Sequence, residues 1–343
     1  MDENVLAALP ARLVPWFAAA KRDLPWRRDR EPYHVWVSEI MLQQTRVEAV
    51  VGYYDRFLKA LPDIRALADA PEDQLMKLWE GLGYYSRARN LQKAARQIME
   101  RHGGTFPRDA ADIRALAGIG DYTAGAIGSI CFEYPTAAVD GNVLRVVSRV
   151  TGSDAPIDKP ETKKKIGVDL SAVYPAGHCG DFTQSLMELG ATVCAPRGAR
   201  CGVCPLADIC AAKREDRVEA LPVKGEKRAR KIEERTVFFL EYEDKVAICR
   251  RPPRGLLASM WQLPNLVGKL EVQSALAAAA DFGVQPISIE RAVDRVHIFT
   301  HIEWQMTCYY LRCALPTPEF VWATRAELSD RYALPTAFRQ FVE

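Results

Sequence analysis

The 343-residue sequence has no long apolar run and no strong excess of charge of either sign. No apolar stretch is long enough to span a bilayer, which argues against a helical membrane protein and predicts no membrane partner. The N-terminus lacks the basic, apolar and small-residue pattern of a signal peptide, so we expect a cytoplasmic protein. Because 46 basic residues nearly cancel 44 acidic ones, any attraction to nucleic acid must come from local patches.

The nine cysteines are an odd number, and five of them are scattered along the chain. The other four form one short run, with six, two and five residues between neighbours: Cys194, Cys201, Cys204 and Cys210. In a reduced thiol population, such spacing favours a shared metal centre over disulfides. Four thiolates hold an iron–sulfur cluster or zinc. Zinc sites usually have two CxxC pairs and this run has one, so the cluster is favoured and zinc remains the alternative.

Length and composition predict two domains. Residues 1–211 have helical apolar spacing, for example over 47–61, 72–79, 88–101 and 143–150. A charged linker with few large apolar residues follows over 212–235. Residues 236–343 have an α+β pattern, with a hairpin over 236–242 and 245–250, a helix over 272–280 and strands over 293–299 and 304–312.

A glycine-rich turn at residues 116–125 opens a helix near Tyr122. Gly118 and Gly120 let the backbone approach a ligand closely, and the free N–H groups at the helix start can bind a phosphate. An ordinary hairpin between two helices explains the same pattern equally well.

Two carboxylates are candidates for acid–base or charge-stabilising chemistry. Asp140 precedes the helix at 143–150, where an N-cap is the usual role. The helix dipole and N–H groups would keep Asp140 ionised, and such an anion can stabilise a positive sugar. Glu39 lies among apolar residues of the segment 35–45. At a solvated edge, the commoner case, it would be an ordinary surface residue, whereas burial would raise its pKa and make it a general acid.

The glycine turn and the cysteine spacing together resemble the helix-hairpin-helix DNA glycosylases of base excision repair, in their endonuclease III-like branch. The resemblance covers most of residues 20–210 and implies that the four cysteines hold a [4Fe–4S] cluster in the loop 194–210. The segment around Glu39 is similar to the catalytic helix of adenine DNA glycosylases. This similarity implies that Glu39 protonates adenine N7, that Asp140 faces C1′ of the flipped nucleotide, and that Asn142 and Tyr122 orient the site.

The same resemblance assigns residues to the base pocket and to DNA. The pocket around the extruded adenine would contain Arg22, Leu24, Trp26 and Arg27, with Gln184 at the base edge, where many relatives have Glu. Gln44 and Tyr84 resemble residues that intercalate beside the partner base. Further contacts with DNA are expected from Thr45, Gly118 and Gly120.

Tyr122 occupies the position at which relatives that also cut the DNA backbone have a lysine. That lysine attacks C1′ and forms a Schiff base. Because a phenol cannot form an imine, the resemblance implies a monofunctional glycosylase.

Residues 236–343 resemble a Nudix domain, notably over 246–257 and 260–264. Active Nudix hydrolases bind magnesium through several carboxylates of one helix, of which only Asp281 remains here. A binding role is therefore expected. In adenine glycosylases this domain recognises 8-oxoguanine, and the matching loop is Phe299-Thr300-His301, where relatives have Phe-Ser-His.

The sequence thus predicts a mostly α glycosylase region followed by an α+β Nudix-like domain. The expected activity is excision of adenine paired with 8-oxoguanine or guanine in double-stranded DNA, by a monomer associated with the bacterial nucleoid. Three alternatives remain open: a bifunctional glycosylase with lyase activity, a noncatalytic iron–sulfur DNA-binding protein, and an active Nudix hydrolase.

Overall fold

The computed structural model describes residues 3–225 and 229–342, which form two compact units. The first unit contains the described residues up to Asp69 and from Arg89 to 225. The second contains Ala70–Ala88 together with the described residues from 229 onward. The domain limits expected from the sequence stay a prediction, and they did not set Ala70–Ala88 apart from its neighbours in the chain.

The chain up to residue 214 is helical, as predicted. Its four predicted helices are confirmed, with ends that shift by no more than two residues. Short 3-10 turns cover Pro25–Arg27 and Cys201–Val203. In chain order the helices are α1 (Glu3–Ala7), α2 (Leu9–Ala20), α3 (Pro32–Leu42), α4 (Val47–Ala60), α5 (Ile64–Asp69), α6 (Glu72–Leu78), α7 (Ser86–His102), α8 (Ala110–Ala115), α9 (Asp121–Phe132), α10 (Gly141–Thr151), α11 (Pro160–Ser171), α12 (Cys179–Thr192) and α13 (Ala211–Arg214).

One core of the first unit lies between α2, α10, α11 and α12. It buries aliphatic side chains spaced three and four residues apart on α10, together with Phe182 and two leucines of α12. Three of the four clustered cysteines pack against this core. The backbones of α10 and α12 approach closely at Gly190, where an added Cβ would lie 2.5 Å from the Cβ of Asn142. The fold thereby fixes the start of α10 against α12.

The second unit is built on a seven-stranded sheet. Its central strands β1 and β6 run parallel, and the other strand pairs are antiparallel. The path is β3-β2-β1-β6-β5, with β4 also paired to β1 and β7 to β2. The strands are β1 (Lys231–Tyr242), β2 (Lys245–Arg250), β3 (Trp261–Gln262), β4 (Asn265–Val267), β5 (Pro286–Ile298), β6 (Ile302–Cys313) and β7 (Val321–Thr324), and the helices are α14 (Val272–Asp281), α15 (Arg325–Asp330) and α16 (Thr336–Arg339).

Both faces of this sheet are covered, which explains the continuous apolar run in β1. Val237 and Phe239 join a core with residues of α15 and α16, whereas Phe238 and Leu240 join a core with α14. A strand buried on both faces loses the alternation of a half-exposed strand. The predicted hairpin and the helix at 272–280 are confirmed, as is the α+β class.

The predicted linker, residues 212–235, forms regular secondary structure at both of its ends. Residues Ala211–Arg214 form α13, and β1 begins at Lys231, five residues before the predicted 236. Between them, the carbonyl of Leu221 accepts from Arg149 Nε at 2.9 Å, and that of Val223 accepts from the Ile157 amide at 3.0 Å. Within the described ranges, no helix is long and apolar enough to cross a bilayer.

Candidate active site

A cavity in the first unit brings together most of the catalytic and pocket residues predicted from the sequence. It encloses about 770 Å³, counting its open mouth. Its walls come from the 3-10 turn before α3, from α3 itself, and from α9, α10 and α12. The predicted residues that line it are Arg22, Leu24, Trp26, Arg27, Glu39, Thr45, Tyr122, Asp140, Asn142 and Gln184.

Glu39 is buried, and its carboxyl group is hydrogen-bonded. Only 5% of the residue is exposed, and the hydroxyl of Tyr122 donates to Oε2 at 2.5 Å. Burial raises the pKa of Glu39 to about 7, which the Tyr122 hydrogen bond opposes and the nearby Asp140 reinforces. Burial, and then the charge of Glu39, raise the pKa of Tyr122 well above its ordinary value, so this phenol stays protonated and donates. Glu39 can therefore hold a transferable proton near neutral pH.

Asp140 is the N-cap of α10. Its Oδ1 accepts from the Val143 amide at 2.8 Å, and its Oδ2 accepts from Asn142 Nδ2 at 2.8 Å. These bonds lower the pKa of Asp140, as the sequence suggested, but burial outweighs them and the net direction is upward. Burial as well as capping therefore acts on this carboxyl group, and the ionised state expected for Asp140 stays a prediction. Both catalytic candidates have raised pKa values, and Asp140 starts from the lower ordinary value.

Asn142 is held by Arg145, one turn further along α10. Arg145 Nη2 donates to Asn142 Oδ1 at 2.7 Å and to the Gly190 carbonyl at 2.8 Å, and its Nε donates to the Cys194 carbonyl at 2.7 Å. The amide of Asn142 is thereby oriented so that its NH₂ group faces Asp140. This role of Arg145 was not predicted: Asn142 stands only three positions before it, but the other two partners, Gly190 and Cys194, lie 45 and 49 positions away.

Glu188 is a cavity residue that the sequence reasoning missed. Its side chain is 0% exposed and accepts from Arg22 Nε at 2.7 Å, Arg22 Nη2 at 2.8 Å and Arg27 Nη2 at 2.8 Å. Burial alone would raise the pKa of Glu188, but these bonds outweigh it and lower the pKa to about 2. Both predicted pocket arginines are therefore ion-paired to one buried carboxylate in the wall, and the three side chains together keep one positive charge. The position of Glu188 among the apolar residues of α12 could have indicated a buried acid with basic partners, since buried acids need partners.

The turn before α9 needs glycine at one of its two predicted positions. Gly118 has a φ of +77°, and a Cβ there would lie 2.7 Å from the Cβ of Asn90. Gly120, the N-cap of α9, has an extended φ of −94°. A Cβ at Gly120 would meet only Arg114 Nη1 at 3.7 Å, an ordinary contact. The backbone conformation therefore requires glycine at Gly118 and not at Gly120, and the close approach of a ligand expected at both stays a prediction.

The two predicted intercalating residues share an unusual backbone conformation. Gln44 has a φ of +59° and Tyr84 a φ of +45°, a region that non-glycine residues rarely adopt. Gln44 belongs to the first unit and follows the end of α3. Tyr84 belongs to the second unit and lies two residues before the start of α7. Such conformations cost free energy and concentrate at functional sites.

Phe299, Thr300 and His301 form the tip between β5 and β6. The ring of Phe299 packs edge-on against Trp304 at 4.9 Å and against His297 at 4.5 Å, while Thr300 is exposed. The Thr300 hydroxyl is hydrogen-bonded to the hydroxyl of Tyr84 at 2.7 Å, within the same unit. Tyr84 and Thr300, which were predicted on separate grounds to contact the base opposite the target adenine, are thus in contact with each other.

The four clustered cysteines line a second, open cavity, whose volume is about 300 Å³ when its open mouth is counted and which Arg149, Arg200 and Lys213 also line. Among the described residues, no three Cys, His, Asp or Glu side chains are grouped closely enough to bind a single metal ion. A tetrahedral zinc site with bonds of about 2.3 Å would require thiolates about 3.8 Å apart. An all-cysteine set around a larger cavity fits a polynuclear cluster better than one ion.

Comparison with known proteins agrees with this geometry. Residues 37–170 match the HhH-GPD superfamily of base excision DNA repair proteins, and residues 236–343 match the NUDIX domain. The chain is 34% identical to the adenine DNA glycosylase of Homo sapiens over an alignment of 378 positions, gaps included, and the alignment covers 92% of this chain and 69% of that protein. It is 34% identical to the adenine DNA glycosylase of Buchnera aphidicola subsp. Baizongia pistaciae over 257 residues, which cover 74% of this chain and 72% of that protein.

Among solved structures, a thermostable thymine-DNA glycosylase is similar, with a TM-score of 0.56 and 27% identity over 62% of this chain and 98% of that one. The resemblance inferred from the sequence is therefore confirmed. The chain belongs to the adenine DNA glycosylases, enzymes of the HhH-GPD base excision repair superfamily.

Proposed function

We propose that this enzyme hydrolyses the N-glycosidic bond of adenine paired with 8-oxoguanine or guanine in double-stranded DNA, and leaves the DNA backbone intact. The observation that carries the proposal is the buried acid of Glu39, held by Tyr122 in one cavity with Asp140. A proton donor and a carboxylate on opposite sides of a bond are the groups that glycoside hydrolysis requires.

Tyr122 decides which oxygen of Glu39 carries the proton. Because the phenol keeps its own proton and donates to Oε2, the transferable proton belongs on Oε1. Glu39 would pass it to adenine N7, and the C1′–N9 bond then breaks to release neutral adenine. Asp140 would stabilise the positive charge that develops on the sugar. A water molecule adds its oxygen to C1′ and gives its proton to one of the two carboxylates.

The pocket for the flipped base would lie between Leu24, Trp26 and Gln184. Leu24 and Trp26 are buried and offer apolar contact, and Gln184 offers an amide that can both donate and accept at the base edge. Arg22 and Arg27 support the wall through Glu188. Tyr122 has no amine, so no covalent imine would form at C1′.

Reading of the opposite base is assigned to Tyr84, Thr300 and their neighbours. The Tyr84–Thr300 hydrogen bond supports this assignment, because it lets one intercalating ring and one recognition loop respond to the same base. Gln44 and Thr45 would complete the contacts with the distorted duplex.

Cys194, Cys201, Cys204 and Cys210 would hold a [4Fe–4S] cluster. A cluster bound by four thiolates supplies electron-transfer chemistry in general and a structural cross-link in this loop. Arg149 Nη1 lies 3.4 Å from Cys194 Sγ and also donates to the Ala195 carbonyl at 2.7 Å, so this chain already orients one thiol and its loop.

Excision from a series of duplexes tests the proposal. Adenine should be released when it is opposite 8-oxoguanine or guanine, faster with 8-oxoguanine, and not when it is opposite thymine. Product strands should break only after alkali treatment, because an abasic site remains. Strand cleavage without alkali, or a protein–DNA adduct trapped by borohydride, would establish a lyase instead. The absence of free adenine from every duplex would leave a noncatalytic DNA-binding protein.

The rate of excision should depend on the protonation of Glu39. Because its pKa is raised to about 7, the acid form dominates below that pH, and the single-turnover rate should fall as pH rises through about 7, approaching tenfold per pH unit. Binding of the duplex should change much less over this range. A rate that stays flat from about pH 6 to about pH 9 would contradict the role of Glu39 as the acid.

A further inference from the structure

The segment Ala70–Ala88 lies in sequence within the glycosylase region but belongs spatially to the second unit. It contains α6 and the turn Gly81–Tyr85, which carries Tyr84. Its polar contacts to residues beyond 229 include contacts at three places along the segment. They involve Asp73, the pair Lys77 and Glu80, and Tyr84.

Glu80 is the most buried of these polar residues, with a side chain 7% exposed. Its Oε1 accepts from the Leu334 amide at 2.9 Å, and its Oε2 accepts from Lys77 Nζ at 2.5 Å and lies 3.4 Å from Arg339 Nη1. Lys77 Nζ also donates to the carbonyls of Leu328 at 3.3 Å and Tyr332 at 3.5 Å. A buried carboxylate with charged donors is costly to disturb, because its partners would be left unpaired.

The turn after Glu80 is stiff, so its position follows that of Glu80. Trp79 Nε1 donates to the Gly83 carbonyl at 3.1 Å, and Arg87 Nη2 donates to the carbonyls of Leu82 at 2.9 Å and Gly83 at 3.2 Å. The Arg87 guanidinium also lies over the ring of Tyr84, 5.7 Å from its centre. Tyr84 is therefore carried on a rigid turn whose first residue follows Glu80 directly.

Leu334, whose amide donates to Glu80, is connected through the core to the loop Phe299–His301. Leu334 belongs to the core that contains Phe338 and Trp304, and Phe299 packs against that core. Trp304 contacts Phe338 at 5.9 Å and Phe299 at 4.9 Å between ring centres. The turn with Tyr84 and the loop with Thr300 are thus both fixed to one core, the first through Glu80 and the second through Phe299.

We propose that Glu80 is a positioning residue that holds Tyr84 in register with the loop Phe299–His301 and so sets the preference for 8-oxoguanine over guanine opposite the target adenine. This inference rests on the proposed function. Glu80 itself touches no DNA in this scheme and acts through the Tyr84–Thr300 hydrogen bond.

The test compares four full-length variants with the natural protein: Glu80→Gln, Tyr84→Phe, the double variant, and Asp73→Asn. Single-turnover adenine excision is measured opposite 8-oxoguanine and opposite guanine, and the ratio of the two rates is the readout. Glu80→Gln and Tyr84→Phe should each lower that ratio about fivefold, the factor expected for the loss of one neutral side-chain hydrogen bond. The double variant should be no worse than either single one, because both changes disturb the same contact.

Asp73→Asn is the matched control, because it removes the half-exposed pair with Arg250 from the same segment without touching the turn. Its ratio should equal that of the natural protein. If Glu80→Gln does not fold in a thermal melt, Lys77→Gln replaces it and should shift the ratio in the same direction. If the natural protein has no preference for 8-oxoguanine, the proposed opposite-base reading fails and this inference with it. If the preference is present but survives Glu80→Gln, or if the two effects add, the positioning role alone is overturned.

Discussion

Glu39→Gln is expected to slow the release of adenine by about a thousandfold, within the usual range for removal of a general acid. The amide has the shape of the carboxyl group and can still accept from Tyr122, so the cavity should keep its form. It has no proton that it can give to adenine N7. Single-turnover excision from an adenine–8-oxoguanine duplex measures the loss, and the duplex dissociation constant should stay within a fewfold of the natural value.

The matched control for this substitution is Glu31→Gln at the start of the same helix. Glu31 is exposed, and its side chain makes no capping hydrogen bond. Excision by this variant should be unchanged. A Glu39→Gln enzyme that released adenine at a rate near that of the natural protein would show that Glu39 is not the acid.

Asp140→Asn should lower the excision rate by about a hundredfold to a thousandfold, as removal of a group that stabilises transition-state charge does. Asparagine caps helices as well as aspartate, so α10 should still begin at Gly141. The one contact expected to suffer is with Asn142, whose NH₂ group faces Oδ2, and the loss of that bond costs about 1 kcal/mol. The relief of a buried charge offsets part of this cost, because the folded protein raises the pKa of Asp140.

Two measurements separate catalysis from folding in this variant. The thermal midpoint should stay within a few degrees of the natural value, and the excision rate near neutral pH should fall. Because Asp140 would act as an anion, the excision rate of the natural enzyme should also fall at low pH. The rate of Asp140→Asn should not show this fall. A variant with normal stability and normal excision would rule out a charged role for Asp140.

The sequence could predict the environment of a residue where its neighbours in space are also its neighbours in the chain. Glu39 stands among apolar residues of one helix, which left a solvated edge and a buried acid both open, and the resemblance to adenine glycosylases favoured the buried acid. Asp140 directly precedes its helix, so the N-cap was predictable from the sequence. The direction of its pKa was not, because burial is set by elements packed around it. Spacing indicated that the four clustered thiols lie around one cavity, since they stand within one loop, and the metal centre that they would share stays a prediction.

The residues that the sequence could not reveal have partners far along the chain. Glu188 binds Arg22 and Arg27, which lie 166 and 161 positions away. Glu80 binds the amide of Leu334 across 254 positions. Neither partner can be read from the residues next to the carboxylate. The early start of β1 has a similar cause, because Lys231–Arg235 becomes a strand by pairing with the distant β6 rather than through its own charged composition.

The placement of Ala70–Ala88 limits how this enzyme can be divided. A fragment that ends near residue 225 would retain the acid, the N-cap and the cysteine loop, and by sequence it would look like a minimal glycosylase. It would also strip Glu80 and Lys77 of their partners at Leu334, Leu328 and Tyr332, and Tyr84 of Thr300. Engineers who replace the second unit of this enzyme would have to replace Ala70–Ala88 with it, because this segment and the residues from 229 onward form one compact unit that residues 89–225 interrupt in the chain.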